Sequence, residues 1–350
     1  MTRLAAAICI LALATTVWAG YGPPLDLPNA EMTADPAIIK VDDVYYLYVT
    51  ASTIDFECWS STDLDTWVYE GVVWENPGAQ AWNHVDLWAP EVHRDGDDFY
   101  LYYAADMRIG VARADNPLGP FVDVFDHPFV GNGYNGVAGL AIDAHVFVDN
   151  DGRRYFYYAG YAPFSVIRVA EMADMTTLVG EHRTVVEPGI LNWELFVTEA
   201  PWMVEHEGTC YLMYSGYGAD RPSYAVGYAT ADNPMGSFDE FSGNPILHRD
   251  DAAAFYGPGH NCVITAPDGS LKIVYHTKVE QTVGWDRRIR INDLCFTTDG
   301  EMYIGFDGCN IDDDDDVADD DTVQVDDDTD ENSVDDDDDD DDDNDDGCGC

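Results

Sequence analysis

The chain has 350 residues, which is enough for one large all-β domain or two smaller domains, and a formal net charge of −52 at pH 7. Residues 311–350 hold 24 of the 68 acidic residues and no basic one, and the other 44 acids against 16 bases still leave a net charge near −28. Such a surface repels nucleic acid and anionic lipid, so the sequence predicts neither as a partner.

Residues 1–19 have the three-part form of a secretory signal peptide. Arg3 precedes an apolar run over residues 4–17, and Ala19 ends a small-residue cleavage pattern before Gly20. An apolar run of roughly 14 residues is too short to span a bilayer comfortably, which favours cleavage over anchoring. The sequence therefore predicts a secreted, cell-surface or periplasmic protein, and no later stretch predicts a membrane helix.

Five short segments recur along the chain, each with an acidic, small or imidazole residue at the start of a β-prone run. Aligned on one position, they are Asp35, Ala89, Asp143, Ala200 and His260, and the steps between them are 54, 54, 57 and 60 residues. Near-even copies of this length indicate a repeat architecture whose units share one centre.

Each copy is followed, across a turn rich in Asp, Gly or Asn, by a second β-rich segment, which predicts a hairpin. Third strands follow, most clearly at 109–113 and 225–229, and both lead into the same Ala-Asp-Asn-Pro sequence at 114–117 and 231–234. Four short strands per unit, five times over, predict an all-β fold, a five-bladed β-propeller with four-stranded antiparallel blades over residues 20–310. The first strand of each blade would line a central channel, so the five aligned positions would meet at one axis.

The last 40 residues, 311–350, are poly-Asp with a few Val and Thr and end in Cys348-Gly-Cys350. They bury too little apolar area to offset their ordering entropy, which predicts a disordered tail. A solubilising spacer is the plain interpretation, and weak calcium association or an attachment remnant stays open. Among the seven cysteines left after signal removal, Cys295 and Cys309 form the easiest loop to close, but the spacings leave connectivity open and match no zinc site.

Three carboxylates, Asp35, Asp143 and Glu199, would gather at the predicted axis. Glu199 is unusual because it lies between apolar and aromatic neighbours directly before a predicted strand. Glycoside hydrolysis needs two carboxyl groups in unlike environments, one ionised and one protonated, and a third carboxylate would help to hold the acid protonated. Three acids on three blades meet that requirement, and the aromatic content of 13% suits stacking on sugars.

Together these segments resemble glycoside hydrolase family 43, the five-bladed propeller arabinanases, arabinofuranosidases and β-xylosidases. The resemblance runs from about Ala34 to Gly300 and rests on Asp35-Pro-Ala-Ile38, Trp88-Ala-Pro-Glu-Val92, Ile142-Asp143, Glu199-Ala-Pro201 and Gly257-Pro-Gly-His260-Asn261. It implies that Asp35 is the catalytic base, that Glu199 is the general acid, and that Asp143 orients the acid and raises its pKa. It also implies inversion, with Asp35 activating a water while Glu199 protonates the leaving oxygen.

The resemblance also implies ligand-binding residues. His260 resembles the family's axial histidine, which in many members lies beside a hydrated metal, so we expect calcium in the channel and no organic cofactor. Arg288 resembles the arginine that contacts the sugar, with Arg287 and Arg290 as neighbours that leave the register open. Trp88 is placed to stack on a sugar ring. A satisfied buried histidine and simple core packing remain open for His260 and Trp88.

The sequence therefore predicts an exported, inverting glycosidase for arabinofuranosyl or xylosyl linkages, acting as a monomer on a carbohydrate substrate. Segments 161–166 and 217–223 would close one end of the pocket, which favours exo-action. The alternative from a different class is a catalytically inactive glycan-binding propeller, and the presence of all three acids argues against it. A related phosphorolytic propeller acting on mannosides would need phosphate-binding bases, in which this chain is poor.

Overall fold

The computed structural model describes residues 20–309, except Thr53 and Ala162. Twenty β-strands and no helix occur in these residues, so none of the described chain is a helix able to cross a membrane. The predicted signal peptide and the predicted tail lie outside the described residues. The domain boundaries at residues 19 and 310 therefore stay predictions.

The strands form five four-stranded antiparallel sheets, each made of four consecutive strands. Blade 1 contains β1 (Ala34–Val41), β2 (Val44–Thr50), β3 (Asp55–Ser61) and β4 (Val68–Glu75). Blade 2 contains β5 (Trp88–Asp95), β6 (Asp98–Ala105), β7 (Arg108–Ala114) and β8 (Val122–Asp123). Blade 3 contains β9 (Leu140–Val148), β10 (Arg154–Tyr161), β11 (Ser165–Asp174) and β12 (Thr177–Val186). Blade 4 contains β13 (Thr198–His206), β14 (Thr209–Gly216), β15 (Ala225–Ala231) and β16 (Asp239–Glu240). Blade 5 contains β17 (Tyr256–Thr265), β18 (Leu271–Lys278), β19 (Arg287–Phe296) and β20 (Met302–Gly305).

The first strands of the blades contact one another in a closed cycle: β1 with β5, β5 with β9, β9 with β13, β13 with β17, and β17 with β1. This is a five-bladed β-propeller with the first strands around the axis, which confirms the fold predicted from the repeat. Five clusters of buried apolar side chains fill the spaces between the blades, and each cluster is built mainly from residues of two neighbouring blades. The hydrophobic core is therefore divided among the blade interfaces, and the axis is left for polar groups.

Buried tyrosines at one aligned position of the second strand connect three of the blades to the blade that follows. The Tyr48 hydroxyl donates to the carbonyl oxygen of Pro117 at 2.7 Å, and the Tyr157 hydroxyl donates to that of Pro234. Tyr102 makes the equivalent contact with blade 3 at 2.5 Å. Pro117 and Pro234 end the two copies of Ala-Asp-Asn-Pro, so this internal match marks turns that receive a hydroxyl from the preceding blade.

The ring closes without a strand shared between its first and last blades, because each sheet uses strands that are consecutive in the chain. The segment before β1 crosses this seam instead. The Leu25 N–H donates to the carbonyl oxygen of Ile289 at 2.8 Å, and the Thr33 N–H donates to that of Arg287 at 3.1 Å. The N-terminal segment therefore attaches blade 1 to blade 5.

Cysteine pairing follows the simplest prediction. Cys295 and Cys309 form a disulfide in the last blade, with Cα atoms 5.5 Å apart. Cys58, Cys210 and Cys262 are buried free thiols among the described residues.

Candidate active site

Each first strand contains one residue in the left-handed backbone region, at the position aligned from the sequence. The φ angles are 50° at Asp35, 48° at Ala89, 56° at Asp143, 53° at Ala200 and 49° at His260. The strand pairing is irregular at each of these positions, as in a β-bulge. Left-handed backbone is strained for residues other than glycine, and strain of this kind is typical of functional sites.

Side chains of the preceding blade in the ring accept the backbone N–H at four of these bulges. The Ala89 N–H donates to Thr50 Oγ1 at 2.8 Å, and the Asp35 N–H donates to His276 Nδ1 at 3.2 Å. The His260 N–H donates to Ser215 Oγ at 2.9 Å, and the Ala200 N–H donates to Asp143 Oδ2 at 3.0 Å. Glu199 lies one residue before the bulge at Ala200. Asp143 therefore holds the backbone directly beside Glu199, as expected of a residue that orients it.

A pocket of about 680 Å³ opens over the axis. Asp35, Asp143, Glu199 and His260 all line it, so the structure brings together the three predicted acids and the predicted histidine. The acids are only 6%, 6% and 9% exposed, respectively. Burial of three carboxyl groups in one pocket makes their protonation states strongly dependent on one another and on nearby cations.

Four aromatic side chains line the same pocket: Trp88, Tyr161, Tyr217 and Trp285. Trp88 lies where the sequence interpretation expects it. Tyr161, Tyr217 and the residues up to Arg221 belong to the two segments that were expected to close the pocket. Trp285 could not be identified from the strand pattern because it lies in the loop between β18 and β19, and its only sequence signal is an aromatic residue in a polar loop.

Asp35 lies among an arginine and two histidines. Its Oδ1 accepts a hydrogen bond from Arg287 Nη1 at 3.0 Å and lies 3.3 Å from Nδ1 of both His260 and His276. Burial opposes ionisation, but the positive charge of Arg287 holds the pKa of Asp35 well below its ordinary value of 3.8. Asp35 is therefore ionised at neutral pH.

His276 binds the backbone of Asp35. Burial and the charge of Arg287 lower the pKa of His276 to about 3, so its imidazole is neutral. Its Nδ1 accepts the backbone N–H of Asp35 at 3.2 Å, which assigns the ring proton to Nε2. A neutral imidazole thus fixes the backbone of Asp35 without competing with Arg287 for its carboxylate.

Asp143 and Glu199 form a coupled pair of carboxyl groups. Burial raises the pKa of Asp143 well above 3.8, and the charges of Glu199 and Asp35 raise it further. Burial also raises the pKa of Glu199 to about 7, with a contribution from Asp35, against the opposing effect of the Tyr224 and Tyr161 hydroxyls. Tyr161 donates to Glu199 Oε2 at 3.3 Å. Because the repulsion between the two acids is mutual, the pair retains a proton near neutral pH.

Of the three arginines in residues 287–290, Arg287 lines the pocket, one residue before the arginine chosen from the sequence. Arg287 is 4% exposed, and its guanidinium lies 5.3 Å from the ring centroid of Trp285. Arg288 does not line the pocket, because its Nη1 donates to Asp286 Oδ1 at 2.7 Å. The pairing of β19 with β18 sets this register, with Arg287 opposite Lys278, and the run of three arginines in residues 287–290 conceals it in the sequence.

His260 faces Asp35 and not a cluster of metal ligands. Among the described residues, no group of three or more His, Cys, Asp or Glu side chains is arranged to hold a metal ion. The space along the axis beside His260, Glu91 and Asn261 measures about 10 Å³, enough for about one water molecule. These residues do not fit a calcium ion bound directly by side chains. A hydrated calcium stays a prediction.

Comparison with known proteins agrees with this architecture. The family model described as glycosyl hydrolases family 43 matches residues 29–302. A protein named beta-D-galactofuranosidase xynD from Aspergillus niger is 32% identical over 77% of this chain and 81% of its own length. An extracellular exo-alpha-(1->5)-L-arabinofuranosidase from Streptomyces avermitilis is 28% identical over 87% of this chain and 69% of its own length.

A solved structure gives the same result. The crystal structure of a thermostable family-43 glycoside hydrolase has a TM-score of 0.70 and 34% sequence identity, and the match covers 78% of this chain and 92% of that one. The family match spans all five blades, from before β1 to the start of β20. The chain therefore belongs to glycosyl hydrolase family 43 and is a glycosidase.

Proposed function

We propose that this protein is an exported glycosidase that hydrolyses arabinofuranosyl or xylosyl linkages with inversion of configuration. The observation that carries the proposal is that the pKa values of two buried carboxyl groups in one pocket are shifted in opposite directions. The pKa of Asp35 is held well below its ordinary value, and that of Glu199 is raised to about 7. An inverting glycosidase uses one carboxylate and one carboxylic acid in this way.

In the proposed reaction, Asp35 accepts a proton from a water molecule as the water oxygen attacks the anomeric carbon. Glu199 gives its proton to the glycosidic oxygen as the bond between that oxygen and the anomeric carbon breaks. Asp143 accepts the Ala200 N–H directly beside Glu199, and in its ionised form it would disfavour ionisation of Glu199 because like charges repel. Arg287 keeps Asp35 ionised and lines the pocket where the sugar binds.

The pocket and the relatives support the choice of substrate. Tyr161, Tyr217 and Trp285 enclose the pocket from three blades, which favours one terminal sugar and hence exo-action. Relatives named as an exo-arabinofuranosidase and a galactofuranosidase support a furanoside as the terminal unit. Export is supported by the signal-like residues 1–19 and by the extracellular relative.

The test is a panel assay of the purified protein on 4-nitrophenyl α-L-arabinofuranoside, β-D-xyloside and β-D-galactofuranoside, together with arabinan and arabinoxylan. The anomer released first is identified by proton NMR. Replacing Glu199 by Gln should lower kcat on the polysaccharides by about 10²–10⁴-fold, the usual contribution of a general acid. Substrates with good leaving groups should lose less, because they need less protonation.

Glu205→Gln is the matched control, since Glu205 lies at the far end of the same strand, where it accepts a hydrogen bond from Asn150. That variant should retain the parent's kcat. Full polysaccharide hydrolysis by Glu199→Gln would remove Glu199 from the acid role, and a retained anomer as the first product would exclude inversion.

A further inference from the structure

Two phenylalanines form an exposed, stacked pair on blade 3 and the loop that leads to blade 4. Phe164 is 44% exposed and Phe196 is 36% exposed, and their ring centroids are 5.0 Å apart at an angle of 28°. Tyr161 ends β10 three residues before Phe164, and Val197 directly follows Phe196; Tyr161 and Val197 both line the pocket. The Phe164–Phe196 pair is thus an aromatic surface that adjoins the pocket wall.

A reciprocal pair of hydrogen bonds fixes this surface next to Glu199. Ser165 Oγ donates to the carbonyl oxygen of Thr198 at 2.6 Å, and Thr198 Oγ1 donates to that of Ser165 at 3.0 Å. Both residues are almost fully buried, so neither bond competes with water. Ser165 follows Phe164, and Thr198 precedes Glu199, so one buried contact connects the phenylalanine pair to the strand that carries the acid.

The backbone keeps Phe196 exposed in spite of strain. Leu195 and Phe196 both have left-handed φ angles, 43° and 71°, which are unfavourable for bulky side chains. The Phe196 N–H donates to the carbonyl oxygen of Gly189 at 3.2 Å, which closes the loop in this conformation. A phenylalanine needed only for the core would be buried, whereas here a strained loop presents its ring to solvent.

The position of the acid decides which part of a substrate reaches this surface. Blade 1, with Asp35, contacts blades 2 and 5 through its first strand, so Asp35 and Glu199 on blade 4 approach a bound sugar from non-adjacent blades. The general acid protonates the leaving oxygen, so the departing saccharide lies on the side of Glu199. The Phe164–Phe196 pair lies on that side, and aromatic rings stack on the apolar faces of sugars.

We propose that Phe164 and Phe196 form a binding site for the sugar unit on the leaving-group side of the cleaved bond. Through it the enzyme prefers oligosaccharides over glycosides with small leaving groups. This inference rests on the proposed function, because it takes Glu199 as the general acid.

The experiment compares Phe164→Ala and Phe196→Ala with the parent on two substrates that share one terminal sugar: a linear oligosaccharide and the methyl glycoside. Loss of the stacking contact between the ring and the sugar should raise KM for the oligosaccharide at least about fivefold. KM for the methyl glycoside should change less than about twofold, because a methyl group has no face to stack. Phe164→Tyr and Phe196→Tyr keep the ring and should retain the parent's KM on both substrates.

Leu191→Ala is the matched control, because Leu191 is 97% exposed in the same loop as Phe196 and does not line the pocket. It should leave both KM values unchanged. Equal changes on the two substrates, or no change on either, would overturn the aglycone site. If the parent enzyme were inactive on every glycoside, the proposed function itself would be contradicted.

Sedimentation velocity provides a second readout. We expect the parent and the phenylalanine variants to sediment alike. A parent dimer that Phe196→Ala converts to a monomer would assign this surface to a second copy of the chain and overturn the proposal.

Discussion

Asp35 and Glu199 are buried to a similar degree, yet their pKa values move in opposite directions. Burial alone disfavours the ionised form of both. Asp35 has Arg287 at 3.0 Å, whereas Glu199 faces other acids and two phenol hydroxyls. One cation therefore decides which carboxyl group is the base.

Replacing Arg287 by Met should move the acidic limb of the pH profile of kcat/KM upward by about 1 pH unit or more, since an adjacent opposite charge lowers a carboxyl pKa by that amount. Removal of the positive charge raises the pKa of Asp35, so the base becomes protonated at higher pH. Arg288→Met, with its side chain bonded to Asp286, is the control and should leave the limb in place. An acidic limb that is unchanged in Arg287→Met would contradict the assignment of Asp35.

Asp143→Asn should move the alkaline limb of the same profile downward. The amide can still accept the Ala200 N–H, but the negative charge that disfavours ionisation of Glu199 is gone, so the acid loses its proton at lower pH. Asp220→Asn removes a carboxylate that also lines the pocket and should have little effect on that limb. The prediction fails if both variants keep the parent's alkaline limb.

At this scale the sequence predicts the residues fixed by the repeat and misses those fixed by loops. Asp35 and Asp143 occupy the aligned bulge positions, and Glu199 lies one residue before the bulge at Ala200, so spacing alone brings them together. Arg287 depends on the register between two strands, and Trp285 depends on the path of a loop. Neither quantity is encoded in hydrophobic periodicity.

The bulge is the element that converts a β-strand into part of a site. A regular strand alternates its side chains between two faces, but the left-handed residue interrupts that alternation at the axis. The five aligned positions share φ angles between 48° and 56°, although their side chains differ. The fold therefore repeats one backbone geometry five times, and the side chain at the left-handed position differs between blades.

The tyrosines on second strands repeat a hydrogen bond from one blade to the next, and Tyr102→Phe tests how much this bond stabilises the fold. Tyr102 is fully buried and donates to the Met175 carbonyl, so loss of its hydroxyl should lower the free energy of unfolding by about 1–3 kcal/mol. Tyr46→Phe, a partly exposed second-strand tyrosine, should cost less than about 0.5 kcal/mol. Urea denaturation followed by circular dichroism measures both, and equal stabilities would show that the hydroxyl contact contributes nothing.

The hydrogen bonds from these tyrosines to the next blade could not be predicted from the sequence. The repeated Ala-Asp-Asn-Pro supports matching blade positions, yet its role as an acceptor for a neighbouring blade appears only in three dimensions. Met213 occupies the place of Tyr157 in blade 4, and Tyr211, two residues earlier on the same strand, donates to the Gly300 carbonyl of blade 5 instead at 2.7 Å. The sequence identifies the turn and cannot tell which blades use it.

For the molecule as a whole, five near-even repeats predict the number of blades, because a closed ring needs equivalent units. They do not predict how the ring closes. Closure here depends on hydrogen bonds between the N-terminal segment and blade 5, which have no sequence motif. Long-range backbone pairing of this kind is set by the completed fold.

The disulfide stabilises the last blade near the end of the described chain. Cys295 and Cys309 are 14 residues apart, and a loop of that size corresponds to about 3 kcal/mol of stabilisation. The double variant Cys295→Ser, Cys309→Ser should lose about that free energy of unfolding and keep its kcat, since neither cysteine lines the pocket. A large loss of kcat in the folded double variant would show that the outer strand of blade 5 controls the site.

The seam between blades 1 and 5 determines how the enzyme loses activity as it begins to unfold. Asp35 and Arg287 are 252 residues apart in sequence, and their ion pair crosses the seam. A slight parting of the first and last blades would separate these charges while every sheet stays paired. In increasing urea at pH 5, the rate of hydrolysis should therefore fall before the far-UV circular dichroism signal does. Protonation of Asp35 would then report separation of blades 1 and 5 before the strands unfold.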